Sequence, residues 1–318
     1  MDGFSNLAPP HRPVPQRPVS QRPMSQPPDM QHTLASSISC AGIGLHSGIA
    51  ASVRLAPAPA GSGIVFVRTD LGLTFPARFD HVADTRLCTV LGHGEARLAT
   101  VEHLMAALLG AGIDNARIEV DGPELPILDG SAEPWTFLIA CAGPRAQHAP
   151  RAAIEVLRTV RVESGEAFAE LRPQPYGQSG FDLTLAIEFA ASAIGRQAFS
   201  LSLHPGSFAR DLARARTFTQ RHEIEGLQAA GLARGGSLDN AIVVDGARVL
   251  NPAGLRMQDE FVRHKLLDVV GDLALAGAPL HARFVGNRTG HALNNRLLHA
   301  LFADAANWRM AAPELLAA

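Results

Sequence analysis

Residues 263–272 restrict this chain more than any other stretch, because they have the sequence of the middle of one helix. The surrounding residues 257–275 contain no proline, and Asp259 and Glu260 place acids near the start of the segment. Gly277 follows just past its end. Acids in the first turn and a glycine after the last turn are typical helix boundaries, so we predict one helix over 257–275.

The same helix carries three polar side chains that could bind a metal ion. His264, Asp268 and Asp272 recur at every fourth residue, so all three project from nearly the same side. An imidazole and a carboxylate one turn apart can share a metal ion, and a catalytic zinc takes three such ligands and a water molecule. Histidine and aspartate at this spacing are also common partners on helix surfaces, so the spacing alone leaves both interpretations open.

The basic residues of the chain are unevenly chosen. Lys265 is the one lysine, and the other 27 basic residues are arginine. A site that requires a compact ammonium group would resist replacement by the forked guanidinium of arginine. Either such a requirement or chance has retained this lysine.

A second candidate element is the segment 100–110, which predicts a helix capped by Thr100 and ended by Gly110. Glu102 and His103 fall in its first turn, where the positive end of the helix favours a carboxylate and disfavours a charged imidazole. A neutral imidazole is the form that binds a metal. The pair therefore offers a third ligand and an adjacent general base, although Glu102 could serve the helix dipole alone.

A further histidine follows a glycine at the start of an apolar segment. Gly290 and His291 precede a predicted short helix that ends near Trp308. A histidine at a helix start is exposed enough for acid–base chemistry, and it could equally be a solvent-facing side chain without a role. Asp272 is a candidate partner for its second ring nitrogen, because carboxylates commonly orient histidines in this way.

Five groups of motifs occur together in the chain. They are Thr-Val-Glu-His-Leu at 100–104, Asp-Gly-Pro-Glu at 121–124 with Asp-Gly-Ser at 129–131, Gly-Gly-Ser at 235–237 with Asp-Asn-Ala at 239–241, Asp-Glu-Phe-Val-Arg-His-Lys at 259–265, and Gly-His-Ala-Leu-Asn-Asn at 290–295. In order and spacing, from about residue 33 to about residue 308, the chain resembles the zinc-dependent UDP-3-O-acyl-N-acetylglucosamine deacetylase family of lipid A synthesis.

The resemblance implies an α+β fold of two similar domains, each a β-sheet with two helices, with the helices packed between the two sheets. We expect the first domain at 33–150, the second at 151–310 and a short C-terminal tail at 311–318. Residues 1–32 include three proline-rich repeats between residues 13 and 27, so we expect a disordered tail there.

The resemblance also implies a catalytic metal site at the domain junction. His103, His264 and Asp268 would bind Zn²⁺, and Glu102 would act as the general base. Thr217 would stabilise the negative charge that develops on the amide oxygen.

Five further residues take roles from the same resemblance. His291, held by Asp272, would protonate the leaving amine. Lys265 would bind the diphosphate of the UDP sugar and Phe218 would pack on the sugar. His46, in the glycine-rich segment 42–48, would contact substrate at the rim of the site. That segment lacks the lysine and the strand–loop–helix setting of a nucleotide phosphate loop.

Residues 216–244 resemble the family's second-domain insert, which lines a channel for the acyl chain. Thr219 and Gln220 depart from the family's usual Gly-Phe, so the shape of the channel mouth should differ here. The insert contains apolar residues that fit a channel wall and an ordinary helix core equally well: Ile224, Leu227 and Leu232.

Simple sequence patterns predict further elements. We expect strands at 51–56, 64–68, 116–120, 154–162, 167–171 and 181–189, and helices at 98–109, 131–141 and from 207 to about 214. Residues 239–246 repeat the pattern of residues 114–122, which hints at two related halves.

Composition limits the class of protein. A net charge of −2 gives no electrostatic case for nucleic acid. Three widely spaced cysteines fit a reducing compartment, and no uncharged apolar run is long enough to span a bilayer. We therefore expect a cytoplasmic monomer.

The expected activity is zinc-dependent removal of acetate from UDP-3-O-(3-hydroxyacyl)-N-acetylglucosamine. Two alternatives stay open: a zinc amidase acting on another amide, and a non-catalytic protein that binds the UDP sugar or acyl chain around a structural metal. Glu102 and His291 argue against the non-catalytic protein, because a structural zinc needs neither a base nor an acid.

Overall fold

The computed structural model describes residues 29–94 and 96–311. The proline-rich repeats and residues 312–318 lie outside the described residues. Met30–Leu34 forms a strand, so ordered structure begins inside the segment assigned to the N-terminal tail. Ala311 pairs with Ala153, so the last strand reaches one residue into the expected C-terminal tail. No helix in the described part of the chain is long and apolar enough to cross a membrane.

The first half of the described chain contains mostly strands and two helices. Its elements are β1 (Met30–Leu34), β2 (Ile38–Ile43), β3 (Ala50–Pro57), β4 (Ile64–Arg68), β5 (Leu73–Pro76), a 3-10 turn (Phe79–His81), β6 (Val82–Asp84), β7 (Val90–His93), β8 (Ala96–Leu98), α1 (Glu102–Gly110), β9 (Ala116–Val120), α2 (Glu133–Ala142) and β10 (Pro144–Pro150).

The second half has a similar content and a longer insertion. Its elements are β11 (Ala153–Val156), β12 (Val160–Ser164), β13 (Ala167–Arg172), β14 (Phe181–Glu188), β15 (Arg196–Leu203), α3 (Ser207–Asp211), β16 (Phe218–Gln220), α4 (Arg221–Ala229), β17 (Ile242–Asp245), β18 (Arg248–Val249), α5 (Glu260–Ala274), β19 (Leu280–Asn287), α6 (His291–Phe302), a 3-10 turn (Ala305–Asn307) and β20 (Trp308–Ala311).

The two halves share one sheet topology. The first sheet has the order β2-β3-β9-β4-β5, in which β9 and β4 are parallel and the other neighbours are antiparallel. The second sheet contains β12-β13-β19-β14-β15 with the same directions, and β11 and β20 extend it from β19. In each half one helix immediately precedes the central strand (α1 or α5) and one follows it (α2 or α6). The predicted α+β fold of two similar domains is confirmed, whereas their boundary at residue 150 stays a prediction.

The buried helices α1 and α5 occupy the middle of the molecule. α1 packs against α5, α2 against α1 and β2, and α5 and α6 against strands of the second sheet. Every residue from Glu102 to Leu108 is buried, because α1 is enclosed on all sides. This layering brings the start of α1 and the middle of α5 together at the junction of the two halves.

The repeated pattern at 114–122 and 239–246 does not mark equivalent strands. Residues 116–120 form β9, the central strand of the first sheet, whose counterpart by topology is β19. Residues 242–245 form β17, which belongs to a separate three-stranded sheet with β16 and β18. The halves are alike in fold, but this short repeat is not the source of the likeness.

Several predicted element limits need correction. The segment 154–162 is two strands rather than one, because β11 pairs with β19 and β20 while β12 pairs with β13. α6 ends at Phe302, six residues before Trp308, which instead begins β20. α5 begins at Glu260, three residues later than Met257, the start of the predicted helix.

Thr100 is not the N-cap of α1, as its sequence position had predicted. Its backbone is left-handed, with φ of 60°, and Val101 occupies the cap position without a side-chain hydrogen bond. The Thr100 hydroxyl donates instead to Glu124 Oε1 at 2.9 Å. The buried Glu124 carboxylate requires hydrogen-bond donors. Because the Thr100 hydroxyl donates to it, that hydroxyl does not cap α1.

Candidate metal centre and active site

Two histidines and one aspartate converge where α1 meets α5. His103 Nε2 lies 3.7 Å from Asp268 Oδ1, and His264 Nε2 lies 3.4 Å from the same oxygen. One ligand atom from each residue lies within 4.8 Å of the other two, and all three side chains are buried. The i, i+4 spacing therefore places two candidate ligands on α5, and helix packing supplies the third from α1.

The close contact of the two helices depends on Gly271. A β-carbon at this position would overlap the carbonyl oxygen of Glu102 and stand 2.7 Å from its carbonyl carbon. Only glycine therefore lets α5 approach the first turn of α1 this closely. The approach carries His103 to the face of α5 that bears His264 and Asp268.

The donor atoms of this cluster fit a bound cation. Asp268 Oδ1 is buried and has no hydrogen-bond partner among the described residues, although it lies between two imidazole nitrogens. His264 Nδ1 donates to the carbonyl oxygen of Ala215 at 3.0 Å, because a carbonyl can only accept, and this leaves His264 Nε2 with a free lone pair. An unpaired buried carboxylate oxygen beside free imidazole nitrogens is the arrangement that a metal ion would satisfy.

The electrostatics favour the protonation states that a metal requires. Burial, reinforced by the neighbouring His264, lowers the pKa of His103 to about 3, so the ring is neutral. Burial also lowers the pKa of His264. Burial opposes ionisation of Asp268, but the neighbouring His264 ring and the Lys265 ammonium hold the pKa of its carboxyl well below the usual range. Neutral imidazoles and an ionised carboxylate are the ligand forms.

Glu102 lies beside the cluster as a buried carboxyl with few partners. Its Oε2 accepts a hydrogen bond from the backbone N–H of Thr89 at 3.0 Å. Burial raises the pKa of Glu102 to about 8. A cation bound at the adjacent cluster would favour the ionised form of this carboxyl, which can accept a proton from a reacting water molecule.

His291 and Asp272 form a buried pair on the other side of Thr89. His291 Nδ1 donates to Asp272 Oδ2 at 2.8 Å, and Asp272 also accepts from Asn294 Nδ2 at 2.8 Å and from the Thr89 hydroxyl at 2.5 Å. Burial disfavours a charged His291, but the Asp272 carboxylate outweighs it and raises the pKa of His291 to about 9. The ring is therefore a proton donor at neutral pH.

Lys265 lies at the edge of the candidate metal site formed by His103, His264 and Asp268. Its ammonium Nζ donates to Asp268 Oδ2 at 2.9 Å, on the carboxylate oxygen that faces away from the two histidines. Burial lowers the pKa of Lys265 but the Asp268 carboxylate raises it further, with a net increase. The lysine is thus charged. Its hydrogen bond orients Asp268, and its side chain lines one cavity together with the three candidate ligands.

Thr217 and Phe218 belong to the insertion in the second half of the chain, and they lie close to the His103–His264–Asp268 cluster. The Thr217 N–H donates to the carbonyl of Gly130 at 2.8 Å, which ties the insertion to the first half of the chain. Phe218 packs edge-to-face on Phe261, with ring centroids 5.0 Å apart, and lies 6.3 Å from the His264 ring. Both residues are thereby fixed near the metal cluster.

A buried ion pair anchors the start of this insertion. Arg216 donates to both carboxylate oxygens of Glu260, through Nε at 2.8 Å and Nη2 at 3.2 Å, and both side chains are buried. Because Glu260 is the first residue of α5, the pair fixes Thr217 relative to the helix that carries His264.

His46 lies in a loop whose backbone is bound by the side chain of Glu124. The buried Glu124 carboxylate accepts from the N–H groups of His46 at 2.9 Å and Ser47 at 2.7 Å, in addition to the Thr100 hydroxyl. The His46 ring faces the cavity, and its buried Nδ1 has no hydrogen-bond partner in the part of the chain that the structure describes.

Nearly all of the predicted site residues line one cavity of about 200 Å³. Of the ten residues that the sequence singled out, nine line it: His46, Glu102, His103, Thr217, Phe218, His264, Lys265, Asp268 and His291. Asp272 lies behind His291, as expected of a residue that orients another. We call this space the metal-site cavity.

Several residues that support the site were not predicted, among them Glu124, Asn294, Gly271 and Thr89. Glu124 and Asn294 lie inside two of the five groups of motifs, at 121–124 and 290–295. Their membership in these motifs was the signal that could have identified them. Gly271 lies in the predicted helix, where a glycine between apolar residues signals close packing. Thr89 had no local signal, because its role depends on contacts with α1, α5 and α6.

A two-domain α+β fold with a buried His-His-Asp cluster and an adjacent carboxyl defines a chain built around a candidate cation site. Comparison with known proteins identifies the relatives of such a chain. The family model for UDP-3-O-acyl N-acetylglycosamine deacetylase matches residues 31–303.

Individual relatives agree with that match. The UDP-3-O-acyl-N-acetylglucosamine deacetylase of Anaeromyxobacter dehalogenans is 51% identical over 280 residues, covering 88% of this chain and 90% of the relative. Proteins of the same name from Myxococcus xanthus and Shewanella baltica are 49% and 47% identical, with 86% and 88% of this chain covered and 87% and 92% of theirs. The chain belongs to the UDP-3-O-acyl N-acetylglycosamine deacetylase family.

Proposed function

We propose that this protein is a zinc-dependent amide hydrolase that removes acetate from UDP-3-O-(3-hydroxyacyl)-N-acetylglucosamine in lipid A biosynthesis, acting in the cytoplasm as a monomer. One observation carries the reaction type: the unpaired, buried Asp268 Oδ1 lies between His103 and His264, with the Glu102 carboxyl in the same cavity. Family membership supports the substrate.

His103, His264 and Asp268 would hold the zinc ion. A bound zinc in such a site polarises a carbonyl group and lowers the pKa of water. Glu102 then accepts the proton of the attacking water, for which its buried, weakly partnered carboxyl is suited. Iron(II) could occupy the same nitrogen and oxygen ligands.

His291 supplies the second proton transfer. As an imidazolium held by Asp272, it first stabilises the negative charge that develops on the amide oxygen and then donates its proton to the departing amine. The Thr217 hydroxyl would stabilise the same developing charge from the opposite wall. Thr89 and Asn294 donate hydrogen bonds to the Asp272 carboxylate and fix its position, which keeps the imidazolium in one orientation.

The walls of the metal-site cavity suit the rest of an acylated UDP sugar. Lys265 offers an ammonium for the diphosphate, Phe218 offers a ring face for the sugar, and His46 reaches in from the opposite loop. The metal-site cavity also has a set of apolar lining residues: Leu45, Leu87, Ile127 and Phe189.

The insertion supplies a candidate wall for the acyl chain. No residue of α4 is buried, and Ile224 and Leu227 are only half-buried, so they do not form a helix core. Neither residue lines the metal-site cavity, so their assignment to a channel wall rests on the resemblance to the family. Gln220 caps α4 through a reciprocal bond pair with Glu223, and both line the metal-site cavity with Thr219. The mouth of the channel is therefore polar on this side.

The test is acetate release from acylated UDP-N-acetylglucosamine by the purified, zinc-loaded protein. Acetate release at a rate that depends on enzyme concentration supports the proposal. Binding of the UDP sugar without acetate release would instead support a non-catalytic binding protein. Hydrolysis of a different acetamide with no activity on the UDP sugar would reassign the substrate.

A further inference from the structure

A second cavity lies at the opposite ends of the helices that carry the candidate metal ligands. It has a volume of about 290 Å³, and its walls include Met105, Leu108 and Leu109 of α1 and Ala274 at the end of α5. Along α1, the lining residue of this cavity nearest to His103 is Met105, two residues away, and the farthest is Leu109, six residues or roughly 9 Å away. We call this space the distal cavity.

The floor of the distal cavity is apolar. Met105, Leu108 and Ile113 are each less than 5% exposed, and Ile64 and Met310 complete the surface. Such a surface gains free energy from covering by an aliphatic chain in proportion to the area removed from water. At about 30 Å³ per non-hydrogen atom, the value for liquid water, the space accommodates about ten such atoms.

Arg78 supplies an available cation at the rim of this floor. Its side chain makes no hydrogen bond with any residue of 29–94 or 96–311, and its nearest carboxylate oxygen, Asp80 Oδ1, is 3.9 Å from Nε. Its guanidinium lies over Gly277, where a β-carbon would come within 2.7 Å of Nη1. The side chain is 43% exposed, so a ligand can reach it from the solvent side.

The other charged groups of the distal cavity are already paired. Arg151 Nε donates to Asp114 Oδ1 at 2.7 Å, and Arg151 Nη1 lies 3.4 Å from Asp29 Oδ2. Asp114 also accepts from the backbone N–H of His32 at 2.8 Å. Arg78 is therefore the cation in this wall with donors to spare, and the ligand that complements it is an anion.

We infer that the distal cavity binds a medium-chain carboxylate of about eight carbons. Its carboxylate would accept hydrogen bonds from the Arg78 guanidinium, whose fork matches two oxygens. Its chain would cover Met105, Leu108 and Ile113. This site is separate from the proposed reaction, and its occupancy does not require a metal.

Methionine methyl groups provide a site-specific readout. Met105 and Met310 line the distal cavity, whereas Met257 lines neither cavity. The experiment titrates the full-length, zinc-loaded protein, labelled at the methionine methyl carbons, with octanoate up to about 10 mM, the range suited to a ligand of about ten atoms. We expect saturable shifts of the Met105 and Met310 signals, assigned by single Met→Leu substitutions, and a stationary Met257 signal.

Matched ligands and variants separate this site from adventitious binding. Butyrate lacks most of the chain and 1-octanol lacks the charge, so both should bind at least tenfold more weakly. Arg78→Gln should weaken octanoate binding about tenfold or more, because it removes a charge-assisted interaction. Ala274→Leu should block the space, and Arg248→Gln, on an exposed arginine of β18, should leave binding unchanged.

Two results would overturn the inference. One is an absence of saturable shifts at Met105 and Met310 in the wild-type protein. The other is octanoate binding that Arg78→Gln and Ala274→Leu leave intact, which would locate the ligand outside the distal cavity. Acetate release is measured on the same samples, so a missing distal site is not confused with a missing enzymatic activity.

Discussion

Gly271 of α5 lies against the backbone of Glu102 at the start of α1, with no room between them for a methyl group. This contact sets the distance between the two helices that carry the candidate metal ligands. A glycine that lines neither cavity is therefore expected to control the geometry of the whole centre.

Replacing this glycine should disturb both stability and metal binding. Gly271→Ala forces a β-carbon into the Glu102 carbonyl, so we expect the free energy of unfolding to fall by about 1–3 kcal/mol and zinc affinity to fall with it. Denaturant unfolding and metal analysis after dialysis measure the two effects. Gly226→Ala is the control, because nothing lies within 4 Å of that position in α4 and alanine favours a helix by roughly 1 kcal/mol. Unchanged zinc affinity in Gly271→Ala would contradict the role given to this contact.

Glu102 and His264 should differ in what they lose on substitution. Glu102→Ala removes the base but no metal ligand, so the protein should retain zinc while kcat falls by about 10²–10⁴. His264→Ala removes a ligand and should lose the metal as well as turnover. Metal content and acetate release are measured on the same preparations. Equal turnover in Glu102→Ala and the wild type would remove Glu102 from the mechanism.

Asp272 should set the alkaline limit of activity. The Asp272 carboxylate raises the pKa of His291 from its ordinary 6.5 to about 9, so the ring stays mostly protonated up to about that pH. The stability that the pair adds is full below pH 6.5 and is lost as the pH rises to about 9. In Asp272→Asn the carboxylate is lost while burial still disfavours the charge. The alkaline limb of kcat/KM should therefore move to lower pH by one unit or more. A limb that stays near pH 9 would assign it to another group.

Lys265 should matter for its shape as well as its charge. Lys265→Arg keeps the charge but replaces a compact ammonium, bonded to Asp268 at 2.9 Å, with a larger planar fork. We expect kcat/KM to fall about tenfold or more, mainly through weaker use of substrate, with the metal retained. An unchanged kcat/KM would mean that chance retained the one lysine of the chain.

The sequence predicted which side chains gather around the metal-site cavity better than it predicted the contacts that hold them there. The i, i+4 repeat placed His264 and Asp268 on one face of α5, and position at a helix start led to Glu102, His103 and His291. The meeting of His103 with Asp268 could not be read from spacing, because it depends on how α1 packs against α5 through Gly271. Thr89, which bonds both Glu102 and Asp272, had no local signal for the same reason.

The fold was predicted from the resemblance, and local patterns were less reliable at its boundaries. Strands over 64–68 and 116–120 matched β4 and β9, since alternation and turn residues are local properties. The break between β11 and β12 arises because the two strands have different neighbours in the sheet. Thr100 has the composition of a helix cap, but the buried Glu124 carboxylate competes for its hydroxyl.

The most direct test of the account is acetate release from the acylated UDP-N-acetylglucosamine before and after chelation of the metal. The account predicts that activity stops on chelation and returns with up to one equivalent of zinc per chain. It also predicts that His264→Ala shows no such recovery. Undiminished acetate release by the fully metal-free protein would contradict the central claim that His103, His264 and Asp268 form a catalytic metal site.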